Sequence, residues 1–338
     1  MKELLKAHRH LAELKGIAKT IPNQGILLST LSLQEAKDSS EIENIITTQD
    51  ALYKYRLQAG VQDLSAKEVS NYADGLEVGF RAVHESGLLT LNTILKIQQT
   101  LEGNRAGFRK VPGTVLKNEQ TGAVVYEPPS PEKIPDLMSS LEFLINGNVN
   151  DLDPILRMAV IHHQFESIHP FYDGNGRTGR IINILFMVKE GLLDNPVLYL
   201  SRYINHTKSD YYRLLQEVRD TGQWDEWVVY MIRGVAATSR HTVVLIEQIR
   251  ALLQEQKHII RSRYKFYSQD LINNIFRHPY TKVQFLEQDL DVSRPTATRY
   301  LDTLANDGIL EKHRMGRENY YLNKSLVSLL FNIPEIEV

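Results

Sequence analysis

Apolar residues recur at helical spacing through the first two-thirds of the chain. "MKELLKAHRHLAELKG" reads as an amphipathic helix, because polar residues interrupt the continuous apolar run that a signal peptide would need. "SLQEAKDSSEIENIITTQDALYKYRL" (32–57) keeps the same period. "DPILRMAVIHHQFESIH" opens a further helix, with Asp153 as N-cap and Pro154 in the first turn. Strand signals are sparse. The clearest lies in "RKVPGTVLKNEQTGAVVYEPPSP", where β-prone runs around Val115 and over Val124–Tyr126 flank a polar turn containing Gly122. It predicts a lone hairpin on a helical body. A long charged helix is expected from about Ser239 to Tyr264. Beyond it, "TKVQFLEQDLDVSRPTATRYLDTLANDGILEKHRMGRENYYLN" predicts helix, turn, helix and two strands around a basic turn. The expected fold class is mainly α, with that hairpin on the helical core and a C-terminal winged helix-turn-helix domain. The pattern divides the chain into N-terminal helices (1–100), a core (101–238), a connecting helix (239–270) and a winged domain (271–338).

Composition narrows the chemistry by exclusion. The chain has 338 residues and no cysteine, which removes disulfides, a thiol nucleophile and cysteine-ligated zinc or iron–sulfur sites. A formal charge of −2 announces neither a nucleic-acid nor a membrane partner. No stretch approaches the 18 or so apolar residues of a membrane span, so no membrane partner is expected and the expected address is the cytoplasm.

The chemistry gathers in "SIHPFYDGNGRTGRIIN", Ser167 to Asn183. Its glycines bare backbone amides at the entry of a helix, which is an anion site. Arg177 and Arg180, three apart, can reach one polyanion, so a row of phosphates is the natural ligand. Asp173 can hold Mg²⁺ against phosphate oxygens, and His169 is the candidate general base. Gly174, Gly176 and Gly179 also satisfy G-x-G-x-x-G, but a helix precedes them where a dinucleotide site needs a strand. His162, His163, Trp224 and Trp227 read as core residues rather than ligands.

"HPFYDGNGRTGR" fills every fixed position of the Fic signature, His-Pro-Phe-x-(Asp/Glu)-Gly-Asn-Gly-Arg-x-x-Arg, and residues 1 to about 235 resemble that family. The resemblance implies a helical Fic core with a β-hairpin flap, which transfers AMP from ATP to a Ser, Thr or Tyr hydroxyl of a target protein or of itself. His169 would take the hydroxyl proton and Asp173 would hold Mg²⁺. Gly174, Asn175, Gly176, Arg177, Thr178, Gly179 and Arg180 would bind ATP, with Tyr212 of the pair Tyr211–Tyr212 at the adenine. A target segment would pair with the flap near 111–126. Upstream, "SSEIEN" matches the family's inhibitory motif through Ser39, Glu43 and Asn44. It implies that Glu43 competes with ATP for Arg180. A homodimer stays open. So do another phosphate-containing donor, removal of AMP, and a winged-helix DNA-binding regulator with an ATP-sensing Fic domain.

In the C-terminal region, Ser293 is the expected cap of a recognition helix, with Arg294, Thr296, Thr298 and Arg299 projecting from its start. Lys312, His313, Arg314 and Arg317 would surround the wing turn. Residues 279–323 hold six Lys/Arg against seven Asp/Glu, a balance that does not favour DNA. DNA contact is therefore left undecided.

Overall fold

The computed structural model describes residues 1–57, 63–117, 121–147, 152–315 and 318–332. The N-terminal helices are α1 (Lys2–Ala18), α2 (Gln24–Ile42), α3 (Gln49–Leu57), α4 (Leu64–Ser86) and α5 (Leu91–Glu102). A hairpin follows, β1 (Leu116–Lys117) and β2 (Val124–Tyr126), paired antiparallel with Leu116 opposite Tyr126. Then come α6 (Ile134–Asn146), α7 (Pro154–Ile168), α8 (Asn175–Lys189), α9 (Leu200–His206), α10 (Lys208–Thr221) and α11 (Asp225–Arg263).

The core is built around α8. Every residue from Arg177 to Met187 is buried, so this helix has no solvent face and must lie at the centre. α4 can approach it closely only because Gly79 lacks a side chain: a Cβ there would collide with Leu185. α1 buries Ala7, Leu11, Leu14 and Ala18, a stripe at helical spacing, and packs along α11. As anticipated, Asp153 caps α7, accepting from the Ile155 amide at 2.8 Å.

Two expectations need correction. The single helical period over 32–57 is broken in the structure: α2 ends at Ile42, Glu43 is its C-cap, and Asn44 turns the chain with φ +60°. Asparagine tolerates that left-handed conformation, so periodicity did not reveal the stop. The connecting helix does not begin at 239 either. α11 runs unbroken for 39 residues from Asp225, carrying core side chains such as Trp227 at one end and linker residues at the other.

The C-terminal domain comprises α12 (Gln269–Arg277), β3 (Tyr280–Lys282), α13 (Val283–Leu290), α14 (Arg294–Asn306), β4 (Glu311–Met315), β5 (Glu318–Leu322) and α15 (Lys324–Phe331). Its antiparallel sheet has the order β3-β5-β4. α13 and α14 form the helix-turn-helix and β4–β5 the wing. Ser293 stands at the N-cap of α14 without a side-chain cap bond to the backbone, its hydroxyl instead 3.1 Å from that of Thr296. Arg294 and Arg299 are exposed, Thr296 and Thr298 half-buried. Lys312 pairs with Asp302 and His313 lies 2.9 Å from Glu311, while Arg317 falls outside the described residues. No described helix is long and apolar enough to cross a membrane.

Candidate active site

The site forms where α7 stops and α8 starts. His169 caps α7 in a left-handed conformation, φ +48°, with its amide still bonded to the Phe165 carbonyl at 3.0 Å. That turn swings the chain back toward α8. Asn175 fixes the intervening loop by bonding both ways to one residue: its Oδ1 accepts from the Phe171 amide and its Nδ2 donates to the Phe171 carbonyl, each at 2.9 Å. Gly174, φ +77°, is the N-cap of α8 and supplies no side-chain cap. The amides of Asn175, Gly176 and Arg177 therefore face out of the helix end without intrahelical partners, as an anion site requires. Gly174 differs, since its own amide already donates to Asp173 Oδ1 at 2.6 Å.

The two arginines of the motif diverge. Arg180 is buried, and its Nε donates to Ser39 Oγ at 2.7 Å while Nη2 donates to the Ser39 carbonyl at 2.9 Å and to Glu43 Oε1 at 2.8 Å. Burial works against both charges. Even so, Arg180 with Arg177 and Lys208 draws the Glu43 carboxyl below its usual range, and Glu43 holds Arg180 protonated. The Glu43 carboxylate also fills the space above Gly176, where a Cβ would overlap Oε1. Arg177 instead turns to the acidic groups of α4 and α5, 2.9 Å from Glu102 and 3.3 Å from Glu68, with Asp173 at 3.7 Å.

Burial pushes the His169 imidazole down to about 4, with the Arg109 and Arg219 charges adding and Glu43 opposing. The ring is therefore neutral at physiological pH. Asp173 is 77% exposed at the helix mouth. No group of three or more His, Asp or Glu able to hold a metal exists among the described residues. A lone, exposed carboxylate fits a Mg²⁺ ion that takes most of its ligands from phosphates and water. Tyr212 is 45% exposed and edge-on to Tyr211, which is buried and bonded to His162 at 2.8 Å. His162 and His163 lie against Trp227 in the core, as expected.

Two of the residues expected at ATP face the core. Thr178 is fully buried, and Gly179 serves helix packing, since a Cβ there would stand 2.5 Å from Glu166 Oε1 and 3.1 Å from Phe165. Sequence reasoning also missed residues that hold the site. Buried Arg109 donates to the His169 carbonyl at 2.8 Å and to the Pro129 carbonyl, while its amide donates to the Pro170 carbonyl at 2.9 Å. One guanidinium thus ties both roots of the hairpin to the turn that presents His169. Arg219 donates to Ser167 Oγ at 3.0 Å and the Glu166 carbonyl at 3.2 Å, and lies 4.0 Å over the Tyr126 ring of β2. Glu166 is buried, with its carboxyl pushed up to about 7 by that burial. An arginine ahead of a hairpin carries no motif, so the sequence offered no signal for these contacts.

Three family models match the chain: the N-terminal region of the Fic/DOC family over 1–81, the Fic/DOC family itself over 88–187, and the C-terminal domain of SoFic-like protein adenylyltransferases over 252–326. A protein adenylyltransferase Fic of Culex quinquefasciatus is 25% identical over 185 residues, covering 52% of this chain and 36% of that protein. A probable protein adenylyltransferase of Aquifex aeolicus is 35% identical over 80 residues, 24% of this chain and 25% of its own. The matches therefore span only about a quarter to a third of these relatives' lengths. Among solved structures, a Fic family protein from Desulfovibrio desulfuricans superposes with TM-score 0.57 at 20% identity, covering 95% of this chain and 96% of that one. A Fic-domain signalling protein from Bacteroides thetaiotaomicron gives the same score and identity over 71% of this chain and 96% of its own. At that identity the likeness speaks for the fold.

Proposed function

The chain belongs to the Fic/DOC family, and from that premise we propose that it is a protein adenylyltransferase held inactive by Glu43. The observation that carries this reading is the Glu43–Arg180 pair at 2.8 Å, formed at the start of α8 beside its open amides and facing the turn from α7 that holds His169. In the proposed reaction a target hydroxyl oxygen attacks the α-phosphorus of ATP, its proton passes to His169, and pyrophosphate leaves. A neutral His169 can accept that proton without first losing one. The amides of Asn175, Gly176 and Arg177, with Arg180, would stabilise the phosphate charge, which is most of what such transfers ask of a protein. Asp173 would hold Mg²⁺, which would offset charge on the bound phosphates. Tyr212, half-exposed, would lie at the adenine. The hairpin, with Val124 and Val125 exposed, would take a target strand along its edge. Arg109 and Arg219 would keep that hairpin in register with His169.

With Glu43 in place, Arg180 is occupied and a carboxylate lies over the helix end, so the γ-phosphate of ATP would meet a negative charge. Transfer of label from ATP to protein tests the reading. The native chain, Glu43→Gly and Glu43→Gly with His169→Ala are each given α-labelled and γ-labelled ATP. Strong α-label transfer by Glu43→Gly, lost with His169→Ala, is the expected result. Transfer of the γ-label, or no α-label transfer by Glu43→Gly to itself or to a lysate, would overturn it.

A further inference from the structure

The C-terminal domain is seated on the two helices that lead into and out of Glu43. On α2, Ser29 Oγ donates to the Arg277 carbonyl at 2.7 Å, and Gln34 Nε2 to the Leu330 carbonyl at 3.0 Å. On α3, Tyr53 stacks on Tyr280 with ring centroids 5.0 Å apart and planes within 5°. The Tyr280 hydroxyl donates to Asp50 at 2.8 Å, and Lys282 Nζ to the Leu57 carbonyl at 3.0 Å. The segment from Glu43 to Thr48 is thus bracketed by two helices docked on one domain.

Between these contacts the seam opens into a cavity of about 450 Å³, within the range of small-molecule sites and at a domain junction, where such sites concentrate. Its apolar lining includes Leu33, Leu76, Phe80, Tyr53, Tyr280 and Phe285. Its ionic lining is Arg56, Arg81 and Arg277 against Glu77. Arg81 is paired with Glu77, and Arg56 bonds Asp74 at 3.1 Å and Ser70 at 3.0 Å. Arg277 is less engaged: its side chain is 48% exposed and its ion pair to Asp289 stretches to 4.0 Å. It also lies over Gly25 in the first turn of α2, so the positive helix end adds to its field. His278 beside it contributes no charge at neutral pH, because burial, helped by Arg277 and opposed by Asp289, pushes its imidazole down to about 4. The result is a positive corner beside an aromatic wall, which complements a flat ring system bearing one anionic group.

We propose that this cavity binds a small aromatic anion, and that an occupant touching both walls holds α2 and α3 on the C-terminal domain and so keeps Glu43 on Arg180. A ligand favours the arrangement it binds, by its differential affinity. The binding and the hold on α2 and α3 stand on geometry alone. Only the consequence for catalysis rests on Glu43 being inhibitory.

The experiment titrates naphthalene-2-sulfonate, a flat aromatic monoanion, onto the full chain by calorimetry. One saturable site is expected, weakened roughly tenfold or more by Arg277→Glu. Decanoate, of equal charge but without rings, should compete far less well. Amide exchange over residues 44–48 should slow with saturating probe in the native chain and stay unchanged in Arg277→Glu. Absence of saturable binding, or binding indifferent to Arg277→Glu, overturns the site. Equal competition by decanoate overturns the aromatic class, and binding without slower exchange at 44–48 overturns the hold on Glu43. In label transfer, the probe should lower the native chain's activity and leave Glu43→Gly untouched. Should Glu43→Gly transfer no label at all, the adenylyltransferase reading fails while the calorimetry and exchange still decide this proposal.

Discussion

Arg177 and Arg180 sit one helical turn apart on α8, both buried and both paired with carboxylates, yet their surroundings differ in kind. Arg177 is gripped from α4 and α5, by Glu68 and Glu102, so two helices of the central bundle supply its partners. Arg180 takes its carboxylate from the C-cap of α2, at the point where the chain leaves the helix through Asn44. Removing the first carboxylate set would require the bundle to open. Removing the second requires one helix end to move. Two ion pairs of similar length can thus differ, one a fastening between bundle helices and the other released by a single helix end, and the supporting elements decide which.

The largest expected effect tests the fastening. Arg177→Met should cost about 3 kcal/mol in urea unfolding, because half-buried Glu102 and the more exposed Glu68 both lose their partner. Glu43→Gly should cost only about 1 kcal/mol, since Arg180 keeps both bonds to Ser39 and the Glu43 side chain is 34% exposed. Equal losses would erase the distinction. The converse holds for catalysis. Glu43→Gly should raise α-label transfer by roughly tenfold or more, whereas Glu102→Gln should not raise it at all.

A pH profile of Glu43→Gly sharpens the picture at the base. A base at His169 would act when unprotonated, and the imidazole is pushed down to about 4. Transfer should therefore stay level from pH 8 to about 5 and fall only as pH approaches 4. Arg109→Met should move that fall toward higher pH and lower the turnover of protein acceptor more than the apparent affinity for ATP. Arg109→Lys should restore part of both. A loss of stability with an unmoved profile would make Arg109 structural only.

The smallest effect concerns α2 itself. Burial pushes the Glu35 carboxyl up to about 8, with Ser201 and Tyr72 donating to it in opposition and Asp38 adding to the rise. A raised carboxyl binds its proton more tightly folded than unfolded. Its contribution is therefore complete at low pH and is lost as pH rises from about 4.5 toward 8. Glu35→Gln cannot ionise, so its melting temperature should fall less than the native chain's between pH 6 and 9. Parallel curves would refute this.

Much of the molecule was legible beforehand. The helical body, the hairpin, the capped start of α7 and the order α13, α14, β4, β5 follow from period, cap and turn residues within short windows, whereas α12, β3 and α15 were not anticipated. The break at Glu43–Thr48 did not, because Asn44 ends a helix without the glycine or proline that normally announces it. Thr178 and Gly179 face the core for a related reason. A motif names positions, but the facing helix α7 decided that Gly179 is a packing contact.

His169, the loop held by Asn175 and the open amides of α8 were written in the sequence, because the nine successive residues 169–177 set them and a turn's geometry is local. Tertiary structure alone decided which carboxylates Arg177 meets, whereas for Arg180 the resemblance of "SSEIEN" to an inhibitory motif already pointed to Glu43. The partners of Arg177 lie 109 and 75 residues away and that of Arg180 lies 137 away. Such distances along the chain are closed by packing of whole helices, and no local spacing encodes them.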